Sequence, residues 1–235
     1  MNVKLLEWTP NADELIYKAY RQCYSKNVAT EIKIPKIDAY GSVPDRQKMI
    51  EFIKDKIDKG HFSPLEHASF TFSIEGISRS CSHQLVRYRS FKFSQQSQRY
   101  IDGSNFSYVT PEKMNDNRII TAIEYSDGYH GTLNVHMTYD DMIQTIFNMY
   151  EALREAGFTK EDARYILPNA TTTNLVVTCD LRNFRNFLSQ RLCINAMDEI
   201  RELANLMRNE VKEILPFVDY KLEHCDKCKK CLVEA

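Results

Sequence analysis

Fourteen residues, RYRSFKFSQQSQRY from Arg87 to Tyr100, hold three arginines, one lysine, three serines and three glutamines and no acid. A solvated surface mixes both signs of charge, and the chain as a whole is balanced, with a formal net charge of −1. The pull on anions is therefore local. A guanidinium is a planar fork that meets phosphate oxygens two at a time. Ser94, Gln95, Ser97 and Gln98 add neutral donors and acceptors, Arg99 a further cation, and Tyr88, Phe91, Phe93 and Tyr100 flat faces for stacking. The mixture reads as a nucleotide or dinucleotide site. A polar edge strand, or a patch neutralised by acids elsewhere in the fold, is the competing structural reading. Neither GxGxxG nor GxxxxGK(S/T) occurs, so neither a Rossmann nor a P-loop phosphate site is supported. No continuous basic track accompanies the cluster, and no nucleic-acid partner is expected.

Two further segments echo this composition. EDARYILPNATTT places Arg164 near a helix end before Pro168, and DLRNFRNFLSQR places Arg182 and Asn186 four apart on one helical face, with Arg191 further along. Gln84 and Arg87, three apart, share a face of an expected helix. The tail HCDKCKKC sets Cys225, Cys228 and Cys231 at steps of three beside His224. That is one half-site of a thiolate metal centre, and the second pair of cysteines that zinc sites use is missing. These cysteines are the only metal candidates; a disordered or redox-active tail is the plainer reading, and no metal is assigned. Cys23, Cys81, Cys179 and Cys193 are scattered and read as reduced thiols of a cytoplasmic protein.

The elements that must position these groups follow from periodicity. Val3–Trp8 is a first strand, Ala12–Tyr24 an amphipathic helix, and Asp45–Lys59 a second helix stopped by Gly60. Ala68–Ile74 alternates as a half-buried strand, and Ser78 caps a helix running to about Tyr88. Residues 101–137 carry no clear period. A helix over Tyr139–Ala156, a capping box at Thr159–Asp162, a β-branched run Leu175–Thr178, a helix from Leu181 to about Leu192 capped by Asp180, and a last helix Asn195–Ile214 complete the pass. The reading is an α/β (α+β) single domain with helices packed on a central mixed sheet, residues 1–220, followed by the tail 221–235. No apolar run is long enough to span a bilayer, so no membrane partner is expected.

Four blocks, in order, resemble the flavin-dependent thymidylate synthases, the ThyX family. His61-Phe62-Ser63-Pro64-Leu65-Glu66-His67 is similar to that family's His-x-(Ser/Thr)-Pro-(Phe/Leu)-Glu-His. Arg87-Tyr88-Arg89, followed after seven residues by Ser97-Gln98-Arg99-Tyr100, is similar to its Arg-His-Arg and Ser-x-Arg-Tyr. Ala163–Pro168 resembles its Ala-Arg-x-x-Leu-Pro, and Asp180–Ile200 its arginine-rich helix with the following Glu-Ile-Arg. The resemblance implies methylation of dUMP to dTMP, with methylenetetrahydrofolate as carbon donor and FAD, reduced by NADPH, as hydride source. It implies a homotetramer whose sites are assembled from several subunits. By resemblance Gln84, Arg87, Gln95, Ser97, Arg99, Arg164 and Arg191 line the nucleotide site, and Ser63, Glu66, Arg87, Tyr88, Arg89, Ser94, Asp180, Arg182 and Asn186 face FAD.

The residues carry a physical logic beside that resemblance. Uracil attacking through C5 gathers negative charge on its ring, which a fixed arginine stabilises; Arg191 is the catalytic candidate. Ser97 has no base beside it in sequence and reads as a hydrogen-bond donor to substrate. Departures from the family pattern are Tyr88 for histidine, Ser94-Gln95 for Asn-Glu, Asp180 for asparagine, and Asn195 and Met197 where His and Gln are common. They keep two alternatives open: methylation or hydroxymethylation of another pyrimidine nucleotide such as UMP, and a non-catalytic nucleotide-binding relative.

Overall fold

The computed structural model describes residues 1–34, 45–103, 106–115, 118–126 and 132–222. In chain order the elements are strand β1 (Asn2–Trp8), helices α1 (Ala12–Gln22) and α2 (Asp45–Asp58), strand β2 (Ser69–Ser78), helix α3 (Arg79–Leu85) and strands β3 (Lys92–Gln95), β4 (Ile120–Ser126) and β5 (Thr132–Met137). Helices α4 (Tyr139–Glu155) and α5 (Lys160–Ala163), strand β6 (Thr172–Asp180) and helices α6 (Leu181–Arg191) and α7 (Asp198–Lys212) follow. One sheet has the order β1-β2-β6-β3, and β4 and β5 form a second. The α+β class expected from sequence is the class observed. Among the described residues no helix is long and apolar enough to cross a membrane.

The chain divides into two compact units and passes between them within β2, α3, β3 and β6. Unit 1 comprises 1–74, 85–94 and 176–235, and unit 2 comprises 75–84 and 95–175. Unit 1 is built on alternation. Phe70, Phe72 and Ile74 of β2 are fully buried, and the first two rings lie 6.2 and 5.7 Å from that of Phe184 on α6. Helix α6 buries Leu181, Phe184, Arg185 and Leu188, an i, i+3, i+4, i+7 stripe. Helix α7 buries Ile200, Leu203, Ala204, Met207 and Val211 and lies against β1 and α6. Helix α1 packs on α2 through Tyr17 and Phe52, ring centroids 5.1 Å apart. Gly60, at φ 76°, ends α2 in a backbone region that other residues rarely adopt.

Unit 2 holds the antiparallel β4–β5 hairpin, which pairs Ile120 with Met137 and Ser126 with Thr132. Thr138 then opens α4 with a full capping box, its hydroxyl accepting the Asp141 N–H while Asp141 accepts the Thr138 N–H. Gly103 donates its N–H to the Tyr150 hydroxyl at 3.0 Å, and a Cβ there would sit 2.7 Å from the Tyr150 ring, so the position admits only glycine.

Four sequence expectations need correction. The helix expected to run from Ser78 to about Tyr88 stops at Leu85, because the Tyr88 N–H turns back to Leu85 O and the Phe91 N–H to Tyr88 O, which lets Phe91 enter the core. Gln84 therefore lies in α3 and Arg87 in the turn after it, not on one helical face. The last helix begins at Asp198 rather than Asn195, since an Ala196 N–H to Cys193 O turn precedes it. The span 101–137, in which no period was expected, contains a hairpin, and Leu133, Val135 and Met137 of β5 do alternate with polar residues. Ser78 does cap α3, its Oγ accepting the Cys81 N–H at 3.0 Å, and Lys92–Gln95, the middle of the cationic stretch, is an edge strand.

Candidate active site

In unit 1 the first group of candidate residues is set by the β6–α6 junction. Asp180 caps α6, one carboxylate oxygen accepting the Asn183 N–H at 2.9 Å and the other its side-chain amide at 2.7 Å. The cap fixes the helix phase, so the apolar stripe faces the core while Arg182 and Asn186 stay exposed. Opposite stands the 3-10 turn Ser63–His67, started by Pro64. Its Glu66 accepts a charge-assisted hydrogen bond from the Arg182 guanidinium. Between them lies a cavity of about 460 Å³, polar through Glu66, Arg182, Asn183, Asn186 and Ser189 and apolar through Phe62, Leu65 and Leu222.

The far wall of this cavity hangs on a residue that the sequence pattern left unremarked. Arg185, only 6% exposed, donates to the carbonyls of Phe217, Val218 and Tyr220 at 3.1, 2.7 and 2.6 Å. Burial pushes the nearby Tyr20 phenol up to about 12, with Arg185 opposing. Lys221 lines the same cavity, stands at φ 44° and holds Asp58 at 2.9 Å, while the Tyr220 hydroxyl donates to the other Asp58 oxygen at 3.1 Å. The Lys221 hydrogen bond keeps the Asp58 carboxyl below its usual range and, reciprocally, the Lys221 ammonium above its own. Arg185 was legible: an arginine at i+4 on an otherwise apolar helical stripe has to be satisfied internally. Lys221 left no signal.

At the C-terminal end of α6, Arg191 meets Tyr88. Its Nε donates to the Tyr88 hydroxyl at 2.9 Å, its guanidinium lies 5.5 Å from the ring centroid, and the Tyr88 hydroxyl donates to Gln190 Oε1 at 2.8 Å. The Tyr88 ring packs on Phe91 and, edge-on, on Phe187, centroids 5.5 and 5.1 Å away. Burial raises the phenol pKa, with Arg191 opposing.

Unit 2 holds a different arrangement. Arg99 pairs with Glu161 at 3.0 Å, and Arg164 Nε donates to the Glu161 carbonyl at 3.2 Å. Arg79, half-buried and not among the residues expected from sequence, is held below its ordinary pKa by burial and then by the Arg164 charge. Two guanidinium groups that feel one another across partly dry protein favour an anion. Ser97 Oγ accepts the Arg99 N–H at 3.2 Å, which leaves its own proton to give away. Ser82 spends its hydroxyl proton on the Arg79 carbonyl, so it can only accept from Gln95. The Gln95 amide nitrogen thus faces Ser82 and Thr173, at 3.1 and 3.2 Å, and its carbonyl oxygen is the end left over.

The two residue sets fall differently on the units. Ser63, Glu66, Arg87, Tyr88, Arg89, Ser94, Asp180, Arg182 and Asn186 all belong to unit 1; Glu66, Arg182 and Asn186 share the cavity, and Asp180 is occupied as a cap. Gln84, Gln95, Ser97, Arg99 and Arg164 belong to unit 2, whereas Arg87 and Arg191 belong to unit 1. Arg87 and Arg89 are exposed. Cys225, Cys228 and Cys231 lie outside the described residues. Among those described, no group of three His, Cys, Asp or Glu side chains could hold a metal ion.

A family model described as "Thymidylate synthase complementing protein" matches residues 4–217. A flavin-dependent thymidylate synthase of Nitratidesulfovibrio vulgaris is 38% identical over 218 residues, 91% of this chain and 83% of that protein. The chain belongs to the flavin-dependent thymidylate synthase family. Its fold is that of solved members. The ThyX of Helicobacter pylori, complexed with FAD and dUMP, superposes with a TM-score of 0.67 at 20% identity, covering 94% of this chain and 99% of that one. A UMP/dUMP methylase from Streptomyces cacaoi, bound with 5-Br dUMP, gives 0.69 at 23% identity, covering 93% and 92%. The family-model match takes in all four sequence blocks and ends before the cysteine tail.

Proposed function

We propose that the chain is a flavin-dependent thymidylate synthase, a methyltransferase of nucleotide biosynthesis that converts dUMP to dTMP. Methylenetetrahydrofolate supplies the carbon, and NADPH reduces the FAD. The observation that carries this reading is the meeting of Glu66 and Arg182, 116 positions apart in sequence, on the wall of one cavity. The residues fit the cofactor: a guanidinium and an ammonium with amide and hydroxyl donors suit a pyrophosphate, and Phe62, Leu65 and Leu222 of the same lining suit a flat ring. Bound there, FAD would supply the hydride. Arg182, Asn186, Glu66 and Ser63 bind and orient it, together with Arg87, Tyr88, Arg89, Ser94 and the helix start capped by Asp180.

The nucleotide is held by Gln84, Arg87, Gln95, Ser97, Arg99, Arg164 and Arg191. Arg164 meets the phosphate and Ser97 donates its free hydroxyl proton. Arg191 is the catalytic group: its fork stabilises the negative charge that grows on the uracil ring as C5 attacks the methylene carbon. Ser97 is not the nucleophile, since no histidine or carboxylate hydrogen-bonds to it among the described residues. The catalytic region takes residues 1–220 and gains Lys221 and Leu222 from the cavity wall, ahead of the cysteine tail. We assign the chain to the cytoplasm, in keeping with the reduced thiols of Cys81, Cys179 and Cys193. We assign a homotetramer, since exposed Arg87 and Arg89, with no ion pair among the described residues, suit a site completed by a second subunit.

One observation favours a second substrate. Gln95 presents a neutral carbonyl rather than a carboxylate, and the Streptomyces cacaoi methylase of similar fold is named for both UMP and dUMP. The experiment is the visible spectrum of the protein reconstituted with FAD and desalted, titrated with dUMP and with UMP. A retained flavin band that shifts with dUMP alone supports the synthase. A shift with both points to the broader methylase, and loss of all flavin on desalting overturns the reading.

A further inference from the structure

Tyr88, Gln190, Asn186 and Arg191 form a hydrogen-bonded series whose direction is forced at every link. Arg191 Nε–H can only donate, so the Tyr88 oxygen accepts, at 2.9 Å. The Tyr88 proton is then free for Gln190 Oε1, at 2.8 Å. That contact orients the Gln190 amide, whose nitrogen donates to Asn186 Oδ1 at 3.2 Å. Asn186 and Gln190 are one helical turn apart on α6, and Asn186 lines the cavity. The Tyr88 ring is clamped between Phe91 and Phe187, so its hydroxyl is a fixed point rather than a swinging one. The phenol, raised by burial, keeps the proton that the series requires. Among the described residues the two Nη groups of Arg191 have no hydrogen-bond partner, leaving the fork to a ligand.

We infer that Tyr88 is a positioning residue for Arg191, and that the series Asn186–Gln190–Tyr88 ties the arginine's orientation to the cavity that would hold the cofactor. The inference rests on Arg191 acting on the uracil ring. It also accounts for the departure from histidine at this position, because a tyrosine hydroxyl accepts from the guanidinium and passes its proton on to Gln190. A stacking residue would need only the ring.

The experiment is steady-state methylation of dUMP by the FAD-reconstituted wild type, Tyr88→Phe, Gln190→Leu and the double variant. Tyr88→Phe keeps the ring and should lower kcat about 10- to 100-fold, the size of a lost hydrogen bond to a charged group, with KM for dUMP within about threefold and flavin content unchanged. Transition-state charge is where a misaligned arginine is felt. Gln190→Leu, on an exposed position that does not threaten folding, should lower kcat about two- to fivefold and add nothing in the Tyr88→Phe background, because it acts through Tyr88. A Tyr88→Phe enzyme with wild-type kcat overturns the inference alone, as does one whose kcat falls only as its flavin is lost, or a Gln190→Leu effect that persists unchanged without the hydroxyl. A wild type that turns over neither dUMP nor UMP overturns the synthase reading, and this inference with it.

Discussion

The two units solve different problems with similar residues. In unit 1 Arg182 and Asn186 stand on a helix whose reverse face is core, shared with fully buried Phe184, Phe187 and Leu188. Their positions are set by packing, which tolerates little displacement. In unit 2 Gln95, Ser97, Arg99 and Arg164 stand on turns and a strand end, and polar contacts do the setting: Arg99 pairs with Glu161, Arg164 donates to the Glu161 carbonyl, and Gln95 donates to Ser82 and Thr173. Unit 1 offers a cavity lined by polar and apolar side chains, which suits the proposed cofactor, and unit 2 a group of arginines and hydrogen-bonding side chains, which suits part of the proposed nucleotide site. Similar composition thus rests on different support.

The largest expected effect tests the packed side. Arg185→Met leaves three carbonyls without their buried donor and should destabilise the protein by about 3–5 kcal/mol, read as a lower urea midpoint, with flavin retention lost alongside. A variant of near wild-type stability would mean that the 217–222 wall stands without Arg185, and that packing is not what sets this side apart.

A crossed pair sharpens the division itself. Arg182→Ala should weaken FAD binding about tenfold, about 1.4 kcal/mol, while KM for dUMP in FAD-saturated assays stays within about twofold. Arg164→Ala should raise that KM about tenfold and leave FAD binding unchanged. If each substitution moves both constants alike, the proposed assignment of Arg182 to the cofactor and Arg164 to the nucleotide is wrong.

The smallest effect concerns pH. Asp58 has its carboxyl pKa lowered by Lys221, so its contribution is complete above the ordinary aspartate value of about 3.9 and fades as pH falls through the lowered one. Lys221 has its pKa raised by Asp58, so its contribution is complete below about 10.4 and fades as pH rises through the raised value. Flavin affinity should therefore be flat between about pH 5 and 9, as far as this pair governs it. Asp58→Asn should shift it by no more than about twofold, since exposed pairs are worth little. A loss of tenfold or more would show that the pair, rather than Arg185, carries the cavity wall.

Much of this was legible before any coordinates. The alternation of Phe70, Phe72 and Ile74 announced β2, and the caps at Ser78, Thr159 and Asp180 all formed, because alternation and capping are local properties of a few neighbouring residues. The hairpin Ile120–Met137 was missed although Asp127-Gly128 is a turn signature and Leu133, Val135 and Met137 alternate, because the first strand, Ile120–Ser126, keeps no clean period of two. Gln84 and Arg87 were set on one helix because periodicity does not register the burial of Phe91, which ends that helix early.

The site divides along the same line. Residue order alone settles which side chains carry charge and hydrogen bonds, which helix face shows Arg182 and Asn186, and, through four ordered blocks, the family. Folding in three dimensions was needed for Glu66 to meet Arg182, for Tyr88 to meet Arg191, and for Lys221 to close the cavity. The first set depends on residues within a turn or two of one another, where backbone geometry fixes the spacing. The second depends on contacts between segments 103, 116 or more positions apart, and these are settled by how the core packs.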